Sequence, residues 1–192
     1  MKKDKKGIVF IPDISGYSRF VRQTKNKLGA QVISDLLQTI IRNNHLSLRI
    51  SEIEGDAILF YQYGEAYPIS MILDQYERML KAFNKRTKEL SKVYPEIKSL
   101  SLKLIVHYGS IEEFSISGFC KLYGNTIVEA HHLLKNSIVS NTYALITKDY
   151  QNAQNDLDSY NAQQQCEVFN DGEKICYSYF SYQPHLKQFV IG

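Results

Sequence analysis

Two aspartates, Asp13 and Asp56, stand where carboxylates from separate elements can be brought together. Asp13 follows Gly7-Ile8-Val9-Phe10-Ile11-Pro12, an apolar run rich in β-branched and aromatic residues. That run predicts a short buried strand stopped by Pro12. Asp56 closes Glu54-Gly55-Asp56, a tight connection between two predicted strands. Aspartate is common in turns, so neither residue carries a function alone. As a pair they suit Mg²⁺, which binds one or two protein carboxylates together with substrate phosphates. Ser15-Gly16-Tyr17-Ser18 comes next and predicts a helix opening near Tyr17, capped by Ser15 or Ser18. The free N–H groups and dipole of a helix start favour phosphate. Together these residues point to a metal–nucleotide site.

The elements that must position them follow from periodicity. Val32, Ile33, Leu36, Leu37, Ile40 and Ile41 predict an amphipathic helix over about 30–44. Residues 46–53 alternate apolar and polar, and 57–61 are apolar, which gives a hairpin with a charged tip. Ile69, Ile72, Leu73, Tyr76, Met79, Leu80 and Phe83 predict a long helix over about 65–92. Residues 102–108 read as a central strand with 113–119 as its hairpin partner. Gly124-Asn125-Thr126 opens a helix that carries Ile127, Ala130, Leu133 and Leu134. Residues 142–146 predict a strand, 151–165 a polar surface excursion, and 176–182 and 189–191 closing strands. The order is that of an α+β protein with an antiparallel-rich sheet and helices packed on it.

Composition narrows the function classes. The 192 residues, 44% hydrophobic and 22% charged, make one globular domain over 1–192 rather than a disordered chain. A net charge of +3 is too mild to argue nucleic-acid binding. Lys81, Lys85, Arg86, Lys88 and Lys92 read as a solvated helix face, because no aromatic stacking motif accompanies them. No run approaches the roughly 20 apolar residues that span a bilayer, and the basic start lacks the apolar core and cleavage site of a signal peptide. We therefore expect a cytoplasmic protein with no nucleic-acid or membrane partner, its first lysines forming a solvated tail. Cys120, Cys166 and Cys176 form no CxxC pair, so neither a disulfide framework nor a zinc knuckle is expected.

The motifs also carry a family resemblance. Phe10-Ile11-Pro12-Asp13-Ile14-Ser15-Gly16-Tyr17-Ser18 resembles the motif that opens class III nucleotidyl cyclase domains. Glu54-Gly55-Asp56-Ala57 resembles their metal-binding hairpin, and Leu104-Ile105-Val106-His107-Tyr108-Gly109 a central strand. Leu122-Tyr123-Gly124-Asn125-Thr126-Ile127 is similar to the start of the next helix. The four motifs come in family order within 8–134, and 135–192 matches nothing. The resemblance implies a ferredoxin-like cyclase core and a head-to-tail homodimer with its site between subunits. It further implies two Mg²⁺ or Mn²⁺ ions held by Asp13, Asp56 and the Ile14 carbonyl. One ion would lower the pKa of a ribose 3′-hydroxyl and the other would hold the triphosphate. The resulting alkoxide would displace pyrophosphate in line from the α-phosphate. Ser15, Gly16, Tyr17 and Ser18 would lie against the nucleotide phosphates.

The chain departs from that pattern on one helix. The family's ribose-orienting Asn and phosphate-stabilising Arg correspond to Val128 and His132. Valine donates no hydrogen bond, and histidine lacks the guanidinium fork and has an ordinary pKa of about 6.5. Losing one positioned donor typically costs on the order of 10²–10³ in rate. The expectation is a cyclase-like domain that binds a metal–nucleoside triphosphate with weak or no turnover. The alternatives are an active purine nucleotidyl cyclase and a purely structural domain. The base-reading positions correspond to Glu52 and Lys121. A carboxylate that accepts from N1–H and N2–H₂ and an ammonium that donates to O6 favour GTP over ATP; the alternative is a Glu52–Lys121 ion pair closing an unused pocket. His131 and His132, adjacent on a helix, point about 100° apart and do not form a metal pair. His107 is expected as a packed histidine of the central strand.

Overall fold

A computed structural model of the chain describes residues 5–24, 26–154, 164–169, 172–183 and 186–190. Residues 1–4 of the expected lysine tail, 155–163 of the expected polar excursion and residue 191 of the last expected strand lie outside the described residues.

The sheet is built around β1 (Lys6–Ser15), which pairs antiparallel with β3 (Ala57–Tyr63) on one side and β4 (Ser101–Ser110) on the other. β2 (Arg49–Glu54) adds to β3. Beyond β4 come β7 (Tyr143–Thr147), which pairs parallel with β4, then β9 (Lys174–Gln183), antiparallel to β7. β9 pairs further with β8 (Gln164–Val168) and β10 (Leu186–Val190).

The alternation of β1 explains the layers, because successive side chains leave opposite faces of a strand. Ile8, Phe10 and Ile14 join a core with α2 (Asn26–Arg42) and α3 (Ile69–Leu90). Phe20 of α1 (Tyr17–Gln23) and Tyr150 of α5 (Lys148–Asn152) belong to the same core. Val9 and Ile11 join a second core with Ile127 and Ala130 of α4 (Asn125–His132), and with Leu133 of the 3-10 turn Leu133–Lys135. The fold is α+β, with helices on both faces of the sheet. Among the described residues no helix is long and apolar enough to cross a membrane.

Three expectations are corrected. β1 does not stop at Pro12: Pro12 faces Leu104 of β4 and the strand continues to Ser15. Its ladder to β3 is interrupted at Ile11 and Pro12 and resumes at Asp13 in unchanged register. The N–H that proline lacks therefore falls in a gap the sheet already has. Residues 113–119 are not one strand beside β4. They split at a turn into β5 (Glu112–Ile116) and β6 (Phe119–Tyr123), a separate two-stranded sheet. Ser117 and Gly118 both take positive φ, 48° and 85°, as a two-residue hairpin turn requires. Finally, Cys166 and Cys176 are bonded as a disulfide, directly opposite one another in the β8–β9 ladder. Their separation of ten residues is set by a hairpin and carries no local signature.

The lysine-rich face of α3 is only partly free. Arg86 pairs with Asp35 of α2 and with Glu89 of its own helix.

Candidate functional site

The end of β1 and the tip of the β2–β3 hairpin meet. Gly55 (φ 60°) and Asp56 make the two-residue tip, with glycine at the first central position where positive φ is needed. The Ile14 N–H donates to the Asp56 carbonyl at 3.1 Å, which ties the tip to β1. Asp13 and Asp56 are thereby neighbours, and their carboxyls share a hydrogen bond. Burial, the Asp13 charge and that hydrogen bond push the Asp56 carboxyl up from 3.8 to about 7. Lys103 of β4 faces Asp13 across the ladder, with Nζ 3.0 Å from Oδ2. Both side chains are largely buried, at 16% and 12% exposure. The same ammonium donates to the Leu134 carbonyl at 2.9 Å.

These groups floor an open cleft of about 430 Å³. Its wall is the β1–α1 turn, Ile14, Ser15, Gly16, Tyr17, Ser18 and Arg19, and its far side is Ser99 and Asn141. Gly16 caps α1 with φ 89°, and a Cβ there would lie 2.7 Å from the Ser99 carbonyl oxygen. Neither Ser15 nor Ser18 makes the expected side-chain cap. The cleft thus holds two carboxylates, an ammonium, a guanidinium-bearing residue and a helix start. Such a donor set fits a hydrated divalent cation with phosphate oxygens.

The other expected residues lie elsewhere. Glu52 of β2 and Lys121 of β6 do meet, as an ion pair. A register shift between Ile50 and Glu52 re-aims the end of β2, as an extra residue in one strand does. Val128 is half exposed on α4, beside a second cleft lined by Asn125, Val128, Gly172 and Glu173. His132 stacks on Phe169 at 5.0 Å between ring centroids, with Nδ1 3.8 Å from Glu173. His131 lies 3.9 Å from Glu54. Neither Val128, His132, Glu52 nor Lys121 lines the Asp13–Asp56 cleft.

Lys103, Arg19 and Asn141 were not expected from sequence. The signal for Lys103 was available: it and His107 share one parity in an otherwise apolar stretch of β4, and hence one face. His107 is packed, as expected, at 1% exposure, but it is also bonded to Glu129 of α4 and Thr147 of β7. Gly109, two residues on, leaves room for α4: a Cβ there would lie 2.4 Å from Thr126 Oγ1.

Solved cyclase domains share this fold. The adenylyl cyclase CyaB from P. aeruginosa superposes with a TM-score of 0.68 at 13% identity, covering 95% of this chain and 97% of that one. The guanylyl cyclase Cya2 gives 0.71 at 10% identity, covering 96% and 97%. The guanylate cyclase domain of RhGC from Catenaria anguillulae, in complex with GTP, gives 0.57 at 15% identity, covering 95% and 100%. In sequence, the chain is 25% identical over 122 residues to the uncharacterized protein Rv2561/Rv2562 of Mycobacterium tuberculosis (strain ATCC 25618 / H37Rv). That match takes in 60% of this chain and 57% of the relative's length. The profile described as "Protein of unknown function (DUF2652)" matches residues 33–143, from α2 through the Asp56 hairpin and α4 to the start of β7. With more than half of its length matched, and with a cyclase-like fold, this chain belongs to the DUF2652 family.

Proposed function

We propose that the chain is a divergent class III cyclase-like domain that binds a metal–nucleoside triphosphate and turns it over weakly or not at all. The observation that carries this reading is the meeting of Asp13, Asp56 and Lys103 beneath the β1–α1 turn. Asp13, Asp56 and the Ile14 carbonyl would hold Mg²⁺ or Mn²⁺; when bound, such ions supply Lewis acidity and charge neutralisation at phosphate oxygens. Because Lys103 already neutralises one carboxylate, the side-chain charge supports one tightly held ion, with the second arriving with the triphosphate. Ser15 to Ser18 offer backbone N–H groups to phosphate, and Arg19 a further positive charge. Val128 contributes no hydrogen bond. His132, held against Phe169 and Glu173, offers at most a single-point donor where a guanidinium fork would spread over several oxygens.

Two copies make the site. Asp13 and Asp56 line one cleft and Val128 another, and neither cleft is lined by Glu52 or Lys121. A head-to-tail pair would set the α1 cleft of one against Glu52, Lys121 and α4 of the other, and two-fold pairs are the commonest soluble assemblies. The test is binding of GTP and ATP with and without Mn²⁺ or Mg²⁺, followed by assay for cyclic nucleotide, with sedimentation at matched concentrations. Metal-dependent binding to a dimer, lost in Asp13→Ala, supports the reading. Binding unchanged in Asp13→Ala, or a chain monomeric at high concentration, rejects it.

A further inference from the structure

His107 faces an acidic group on the α4 side of the sheet. Its Nδ1 lies 2.8 Å from Thr147 Oγ1 and its Nε2 lies 2.6 Å from Glu129 Oε2. Asp149, in the first turn of α5, completes the group: one ligand atom from each of His107, Glu129 and Asp149 lies within 4.8 Å of the others. The Glu173 carboxyl also hydrogen-bonds Glu129. One imidazole thus meets carboxylates from α4 and α5.

We propose that His107, Glu129 and Asp149 bind one divalent transition ion, with Zn²⁺ the best match, at a site separate from the Asp13–Asp56 cleft. The donors decide the class. One imidazole nitrogen with two carboxylate oxygens is a set that Zn²⁺ takes readily, completing four-coordination with water. All-oxygen sites suit Mg²⁺ and Ca²⁺ better.

Thr147 makes the imidazole ready. Its Oγ1 already accepts the Tyr150 N–H at 3.2 Å. Thr147 Oγ1 holds Nδ1 and Glu129 Oε2 holds Nε2, so each ring nitrogen has one partner. In the metal-bound form the ring proton would sit on Nδ1, donated to Thr147 Oγ1, and the proton carried on Nε2 would leave to solvent, so that the Nε2 lone pair faces Glu129 and Asp149. This is the outer hydrogen bond that metal-bound histidines ordinarily carry.

The distances allow it. Two ligands of a tetrahedral ion, each about 2.0 Å from it, sit roughly 3.3 Å apart. The Nε2–Oε2 contact therefore has to open by well under 1 Å. Glu129 is on a helix surface with its side chain 21% exposed, and Asp149 is exposed, so the ion reaches His107 from solvent.

The ion would fasten β4, α4 and α5 to one another. It sits four residues along β4 from Lys103, about 13 Å at strand rise. Across that distance α4 and its 3-10 extension run from Glu129 to Leu134, whose carbonyl holds Lys103. The site therefore acts as a strut for the helix that carries Val128 and His132.

The experiment is calorimetric titration of Zn²⁺ into full-length protein stripped by chelator, with Cys120 alkylated so that its thiol does not compete. Co²⁺ absorption reports ligand geometry in parallel. Asp56→Asn is run beside the unsubstituted chain to separate this site from the cleft. One equivalent should bind in both, and Asp149→Asn and Glu129→Gln should each weaken it at least about tenfold. The His107 ring nitrogens should shift in NMR on addition of the ion. Asp149 is exposed, so its variant reports even if Glu129→Gln unfolds the chain. No stoichiometric binding of Zn²⁺, equal affinity in Asp149→Asn, or loss of binding in Asp56→Asn alone each overturns the proposal.

Discussion

Asp13 and Lys103 are direct partners across the β1–β4 ladder, and their side chains close that pairing with a largely buried ion pair at 3.0 Å. Asp13 therefore has two neighbours of opposite effect: Lys103, which neutralises it, and Asp56, with which it shares a hydrogen bond.

Lys103→Met removes the cation and leaves two carboxylates facing one another. Breaking one side of a buried pair typically costs about 3–5 kcal/mol. Denaturant unfolding should show a loss of about 3 kcal/mol. Asp13→Asn combined with Lys103→Met should recover most of it, because no unbalanced charge then remains. A double variant as unstable as Lys103→Met alone would show that packing, not charge, is responsible.

The metal-free protein should become less stable as pH rises from about 4 through 7 on account of Asp56. Its folded pKa of about 7 lies above the unfolded value of 3.8, so the fold favours the protonated form. Its contribution is complete below about 3.8 and is lost as pH rises through 7. Asp56→Asn keeps the shape and removes the titration. With chelator present, it should be more stable than the unsubstituted chain at pH 8 and should flatten this part of the profile. Destabilisation by Asp56→Asn at pH 8 would contradict the raised value.

Divalent ion should compete with that same proton. Below pH 7, Mn²⁺ affinity should fall by up to about tenfold per pH unit, since binding requires ionised Asp56. At a hundred times Kd the ion should stabilise the fold by about 2.7 kcal/mol, measured as a shift in Tm. Asp13→Ala should abolish the shift. A Tm shift of equal size at pH 5 and pH 8 would place the ion elsewhere.

Turnover should be near background, because Val128 and His132 lack the donors that act on the ribose and the transferring phosphoryl group. Val128→Asn with His132→Arg should raise cyclic-nucleotide formation, each positioned donor being worth on the order of 10²–10³. Robust product from the unsubstituted protein would sink this prediction.

Base choice should follow Glu52 and Lys121. GTP should bind more tightly than ATP by about 1–3 kcal/mol, and Glu52→Gln should narrow the gap. Equal affinities in the unsubstituted chain would mean that the pair only closes the pocket.

The convergence of Asp13 and Asp56 was legible because each follows a local signal, the end of an apolar strand and a glycine-bearing hairpin tip. The layers were legible because β1, α2 and α3 keep strict periods. Lys103 stood out as a charge in an otherwise apolar stretch, but its partner Asp13 was hidden, because register is not written locally. Glu129 looked like an ordinary polar position of a helix, since its partner lies 22 residues back on β4. β5 and β6 were merged because Ser117 gave no warning of left-handed backbone. The Cys166–Cys176 bridge depends on the pairing of β8 with β9, and the polar residues of β8 conceal a strand.

The β5–β6 hairpin stands outside the main sheet and shows solvent Ile116, Phe119 and Tyr123. Among the described residues its side-chain moorings include Lys121 to Glu52, Glu113 accepting from the Tyr63 hydroxyl at 2.8 Å and the Tyr61 hydroxyl at 3.5 Å, and Leu122 against the second core. A purine read by Glu52 and Lys121 would have to part them, and so would untie one of the contacts holding the hairpin down. Under the proposed function, recognition of the base and anchorage of this arm would draw on the same ammonium. A ligand that parts Glu52 from Lys121 should therefore speed amide exchange along β5 and β6 while slowing it at the hairpin carrying Asp56, a signature that distinguishes binding there from metal binding alone.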